Sequence, residues 1–198
     1  MSMLGNWFFL IAVFAVLMIP GPTNALLASS AHQQGIAKTS LYIPMQLFGY
    51  LYAINLWALF IHLMQPFWPK IGLILHVISS LYSVIWAFYL WKAKHLARHN
   101  QQHQAIQPYQ LFFATLKNPK ALLFAAGIFP AQTWDNPQHT TIVFICFCVI
   151  LIPTAVFWMS FGRALLNPEK SQKNADRLYK GSAILLMVCV LPVLAGLF

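Results

Sequence analysis

The sequence predicts an all-α integral membrane protein of six transmembrane helices, arranged as two inverted three-helix repeats, with spans one and four broken at proline-containing motifs. Three observations predict it. Of 198 residues, 60% are hydrophobic and only 8% charged, against about 25% charged in a soluble domain. Apolar stretches of roughly 20 residues, each long enough to cross a hydrocarbon core of about 30 Å as a helix, recur along nearly the whole chain. Two of them carry proline in their middle, at "PGP" (20–22) and "NPK" (118–120).

Bounded by polar residues, Gly and Pro, the spans run over about 4–27, 41–63, 71–91, 109–130, 140–162 and 181–197. All are read as helices, because lipid leaves no water for unpaired backbone groups and runs this long do not alternate as barrel strands do. The polar stretches between them, chiefly 92–108 and 163–180, are too short to hold a soluble core. The chain therefore reads as a single transmembrane domain over 1–198, with repeat one at about 1–97 and repeat two at about 98–198.

Orientation follows from the connections. Lys38, Lys92, Lys94, Arg98, Arg163, Lys170, Lys173, Arg177 and Lys180 fall on one side and Lys70 on the other, a nine-to-one bias once Lys117 and Lys120 are assigned to span four. The positive-inside rule then puts both termini outside the cytoplasm, with Trp7, Trp68 and Trp134 near the outer interface. The net charge of +9 flanks spans instead of forming one basic surface, so it predicts contact with anionic headgroups and no nucleic-acid partner. "LLASSA" at 26–31 offers small residues for signal cleavage, but no Lys or Arg precedes Lys38, so no cleaved signal peptide is expected. Cys146, Cys148 and Cys189 lie in apolar runs without metal-ligand spacing and read as small packing residues.

The broken spans carry the functional reading. After Pro20-Gly21-Pro22, "TNALLASSAHQQG" is good helix sequence ending at Gly35, so one helical stretch from about 4 to 34 is interrupted near its centre. Gly21 is placed to cap a new half-helix that starts at Pro22. In span four, Asn118 stands where an N-cap belongs, Pro119 at the first helical position and Lys120 next, after about ten residues of helix-compatible sequence from Pro108. Pro22 and Pro119 are 97 positions apart, and each precedes an Ala-Leu-Leu triplet, offset by one residue. Three spans per half force the second copy to enter inverted, and paired discontinuous helices in inverted repeats mark substrate sites of secondary transporters.

A half-helix start offers free N–H groups and a positive dipole end, which suit a carboxylate. Lys120 in a first turn opposes that dipole, and an intramembrane Lys costs about 2.5 to 3.5 kcal/mol on insertion scales. The chain's three acids, Asp135, Glu169 and Asp176, all fall in connections, so a bound substrate carboxylate is the expected counter-charge of Lys120, while Lys117 is expected to snorkel to the headgroups. Thr23, Asn24 and Asn118 are expected to orient polar groups of the guest. Gln46 and Tyr50, one turn apart on span two, share a face and are the preferred additions; Asn55, Ser79, Tyr82, Ser83 and Thr115 read as interhelical hydrogen bonders.

At these residues the sequence resembles the lysine exporter (LysE/RhtB-type) family of amino-acid exporters. The resemblance rests on "PGP" at 20–22 followed by Gly35, "LYSVIWAFYLWKA" at 81–93, "NPKALLFAAGIFPAQ" at 118–132 and "YKGSAILLMV" at 179–188. It implies a compact bacterial inner-membrane exporter of amino acids or close derivatives, without a cofactor, driven by the proton-motive force. Thr39, Ser40, Ser79 and Ser80 depart from the family's small-residue pattern, so no particular substrate carries over.

No span contains Asp or Glu, which leaves His62 and His76 as the titratable candidates for proton coupling. His95, His99 and His103 recur every fourth residue after span three, a spacing that can bind a transition metal and supports divalent-metal export as the alternative. There is no HExxH, no G-x-S-x-G and no paired carboxylate, so an enzyme is not expected. The expected partners are an amino acid, the bilayer and protons; a homo-oligomer is compatible with the sequence. The two halves are expected to rock about the site.

Overall fold

In a computed structural model, the protein is described over residues 3–19, 21–71, individual positions between 73 and 88, and 106–164. Span six, most of span three, Pro20, Cys189, His76 and the three loop histidines lie outside the described residues. Every regular element among the described residues is helical: α1 (Met3–Met18), α2 (Pro22–Gln34), α3 (Ile36–Ser40), α4 (Ile43–Met64), α5 (Pro108–Leu116), α6 (Lys120–Leu123), a π turn (Phe124–Ile128), a 3-10 turn (Ala131–Trp134) and α7 (Pro137–Ala164).

Among the described residues, two continuous stretches are long and apolar enough to cross a bilayer, Ile36–Met64 and Pro137–Arg163, and the pair α1 and α2, bent by 59°, makes a third if it is one span. Their apolar faces are turned outward. Along α4, Phe48, Tyr52, Leu56, Leu59 and Leu63 are exposed at helical spacing, and along α7 Ile142, Ile145, Val149, Ile152 and Val156 are. Faces of this kind suit acyl chains and would be costly in water.

α1 stops at Met18, and α2 leaves it at 59° from Pro22. Pro20 and Pro22 have no N–H to give to the carbonyls four residues before them, so the ladder of α1 cannot continue. Pro22 is instead accommodated in the first turn of α2, behind an extended Gly21. α2 ends at Gly35, whose φ of +88° is a conformation side chains resist, and its N–H bonds Ala31 O at 3.1 Å. The second break separates α5 from α6 over residues 117–119. α5 begins with a reciprocal cap between Gln107 and Gln110, with Pro108 in the first turn. α7, by contrast, runs unbroken through Pro153, where the Thr154 hydroxyl bonds Ile150 O and Leu151 O at 3.1 and 2.7 Å.

Among the described residues, the most extensive crossings join opposite halves of the chain. α2 packs mainly on α7, and α4 mainly on α5. Glycine permits both approaches: a Cβ on Gly162 would land on the Ala28 carbonyl, and one on Gly49 would sit 2.7 Å from the Thr115 Cβ and 3.0 Å from Phe112 O. Two helices with small residues at their crossing gain van der Waals contact that lipid cannot replace. Among the described residues, span one is thus seated on span five and span four on span two. Between them, Tyr50 sits edge-on to Phe124 and Phe147, with centroids 6.0 and 5.6 Å away.

Gly49→Val is expected to push α4 off α5 and lower stability by about 1–3 kcal/mol. Thermal melting of the purified protein in detergent should show a clear fall for Gly49→Val and no comparable fall for Leu56→Val, whose side chain is exposed.

A candidate substrate site where the two breaks meet

The breaks of the two halves converge. Asn118, in the second break, donates from Nδ2 to the hydroxyl of Thr23 in the first turn of α2 (3.2 Å) and to the hydroxyl of Tyr50 on α4 (3.1 Å). Its Oδ1 accepts from the backbone N–H of Lys120 at 3.1 Å, the role expected of it as a cap. Each polar atom of this amide is thus used, and one side chain ties three segments together.

The carboxyl end of α1 is served by groups from outside its own ladder. Asn24 folds back from α2, donating from Nδ2 to Leu17 O and Ile19 O, both at 2.8 Å. Lys120 reaches across from the other half and donates from Nζ to Ile19 O at 2.6 Å. Electrostatics favour this pairing, because the C-terminus of a helix carries roughly half a negative charge and attracts cations. A hydrogen bond from a charged donor contributes about 1.5–3 kcal/mol. Lys120 is buried, at 8% exposure, so its side-chain nitrogen is kept in the interior by an oriented carbonyl, with no carboxylate of the described residues beside it. Gly21 supplies the room: a Cβ there would stand 3.3 Å from both Cε and Nζ of Lys120.

The sequence reading expects a bound substrate to supply the counter-charge of Lys120; the structure adds a neutral partner from the protein's own backbone, Ile19 O. Sequence inspection misses this because a carbonyl has no residue-specific signature; the available signal is the pair of prolines that strips donors from the end of α1. Lys117, in contrast, is exposed, as snorkelling requires.

The other expected site residues divide into two groups. Thr23, Asn24, Tyr50, Asn118 and Lys120 are buried and linked through the bonds above, with Gly21 alongside. Pro22 is exposed, Pro119 half-buried, and Pro20 lies outside the described residues. Gln46 is 2% exposed on the face of α4 that carries Tyr50, but its Oε1 has no hydrogen-bond partner. Ser30 Oγ and Trp158 Nε1, which the sequence does not single out, are also buried without a partner. Asn55 and Thr115 bond within their own helices, to Leu51 O and Leu111 O at 2.7 Å each, and His62 is exposed. Ser79, Tyr82 and Ser83 lie outside the described residues.

Chemically the convergence offers one ammonium, amides, hydroxyls and a helix end. Among the described residues no three His, Cys, Asp or Glu side chains gather as a metal site would need. No family model matches the chain, and no curated protein or solved structure matches it.

Asn24→Ala removes both side-chain bonds to the end of α1 and is expected to destabilise the fold by about 1–3 kcal/mol, the usual effect of leaving a buried polar group unpaired. Chemical or thermal unfolding in detergent, compared with Asn55→Ala on an exposed face, measures the difference.

Proposed function

We propose that this chain is a secondary transporter of the bacterial inner membrane that exports amino acids or close derivatives by alternating access. Its six spans form two inverted repeats, both termini lie outside the cytoplasm, and the guest binds where the two broken helices meet. The observation that carries this reading is the buried Lys120 ammonium, set at the junction of two proline breaks from opposite halves and bonded to Ile19 O. A structural kink needs no cation at the membrane interior, where an ionisable side chain points to function by default. A carboxylate is the ligand class that exchanges most readily with a helix-end carbonyl for a lysine ammonium, because it brings a full opposite charge into a low-dielectric site.

The resemblance to the lysine exporter family supports the same substrate class, on motifs that coincide with the two breaks. Alternating access on this fold would move cross-paired units, span one with span five and span two with span four, since those are the seated pairs. The metal-export alternative draws no support from the junction, whose side chains are amides, hydroxyls and an ammonium, poor company for a divalent cation.

Vesicles containing the full-length protein, loaded with a panel of radiolabelled amino acids, test the reading directly. At least one amino acid is expected to leave faster than from empty vesicles, and Lys120→Ala or Asn118→Ala to reduce that rate tenfold or more. Lys117→Ala should leave it near the original value. Extrusion unaffected by either of the first two changes would assign the junction to structure alone.

A further inference from the structure

The junction holds a buried lysine amine that no acidic side chain among the described residues offsets. The whole chain has three acids: Asp135 is exposed in the connection before α7, and Glu169 and Asp176 fall in the polar stretch after α7. Lys120 is held by a neutral carbonyl, and the side chains tied together beside it are the uncharged Asn118, Thr23 and Tyr50. Beside Tyr50 stand the rings of Phe124 and Phe147, in edge contact with it and with each other. None of these groups can neutralise a second cation.

One acceptor near this cluster is unspent. Gln46 lies one turn before Tyr50 on the same face of α4, the helix that also packs on α6, where Lys120 begins. Its Oε1 is buried without a hydrogen-bond partner. A buried orphan acceptor is disfavoured unless something donates to it in a functional state. A neutral amide oxygen suits one primary ammonium by hydrogen bonding, and offers no compensation for a further charge.

From these observations, and resting on the amino-acid transporter reading above, we infer that the site selects zwitterionic amino acids and rejects cationic ones such as lysine and arginine. The guest carboxylate pairs with Lys120, its α-ammonium donates to Gln46 Oε1, and the charge of the occupied site stays at the single unit Lys120 carries. A lysine or arginine guest would raise it to two in a low-dielectric interior, where like charges repel strongly. Gln46 is thereby the residue that reads the charge of the guest.

Counterflow into proteoliposomes of the full-length protein tests this, with alanine, leucine, glutamine, lysine and arginine as the labelled probes. The expected result is a kcat/KM for the best zwitterion at least tenfold above that for lysine or arginine. Gln46→Glu should then lower the zwitterion-to-lysine ratio at least tenfold by gaining lysine transport, an outcome that misfolding cannot produce. Lysine or arginine moved as well as the zwitterions by the unaltered protein would overturn the inference while leaving amino-acid transport standing. A ratio unmoved in a monodisperse Gln46→Glu variant would overturn it as well, whereas movement of none of the five probes would overturn both the inference and the transporter reading.

Discussion

The rest of this architecture depends on a backbone constraint: a helix interrupted inside a membrane leaves carbonyls that no water can satisfy. The prolines at 20 and 22 remove the donors that would have continued α1, and the protein meets the deficit with side chains. Asn24 turns back to cover Leu17 O and Ile19 O, and Lys120 crosses from the other half to share Ile19 O. Because the second donor comes from the second break, neither interruption is independent of the other. The fold holds two weak points together and uses each to repair the other.

That arrangement links stability to chemistry. A lysine whose partner is a carbonyl is satisfied but not neutralised, and it retains the capacity to pair with an anion that offers full charge. The glycines at the close crossings act at another level. Gly49 and Gly162 let α4 meet α5 and α2 meet α7 at distances that larger residues forbid, so the convergence rests on rigid seats that pair elements of opposite halves.

Much of this was legible in the sequence, and the reason is chemical locality. Proline lacks a donor wherever it stands, so the ends of α1 and α5 follow from residue identity. Gly35 closes α2 at a positive φ, and Asn118 accepts from the Lys120 N–H where α6 begins, one residue later than the sequence places the helix start. Burial of Tyr50 and Gln46 follows from their spacing on an otherwise apolar helix. What the sequence leaves open is pairing across the chain. Nothing local in Lys120 points to Ile19 O, since a carbonyl is common to every residue, and nothing in Gly21 announces that a lysine stem needs its missing Cβ. The seating of α2 on α7 is likewise a property of the assembled bundle, foreshadowed only by a glycine among large residues at 162.

The central claim is that residues from the two breaks touch inside the membrane. Paired cysteines at Thr23 and Asn118, introduced into full-length protein whose own three cysteines are replaced by serine, test it in native membranes with oxidant or the shortest bifunctional thiol reagents. The account predicts rapid and nearly complete intramolecular cross-linking of this pair, together with little for a pair joining Thr23 to the exposed end of α4 at His62. Absence of a Thr23–Asn118 cross-link in protein that is inserted and folded would contradict it.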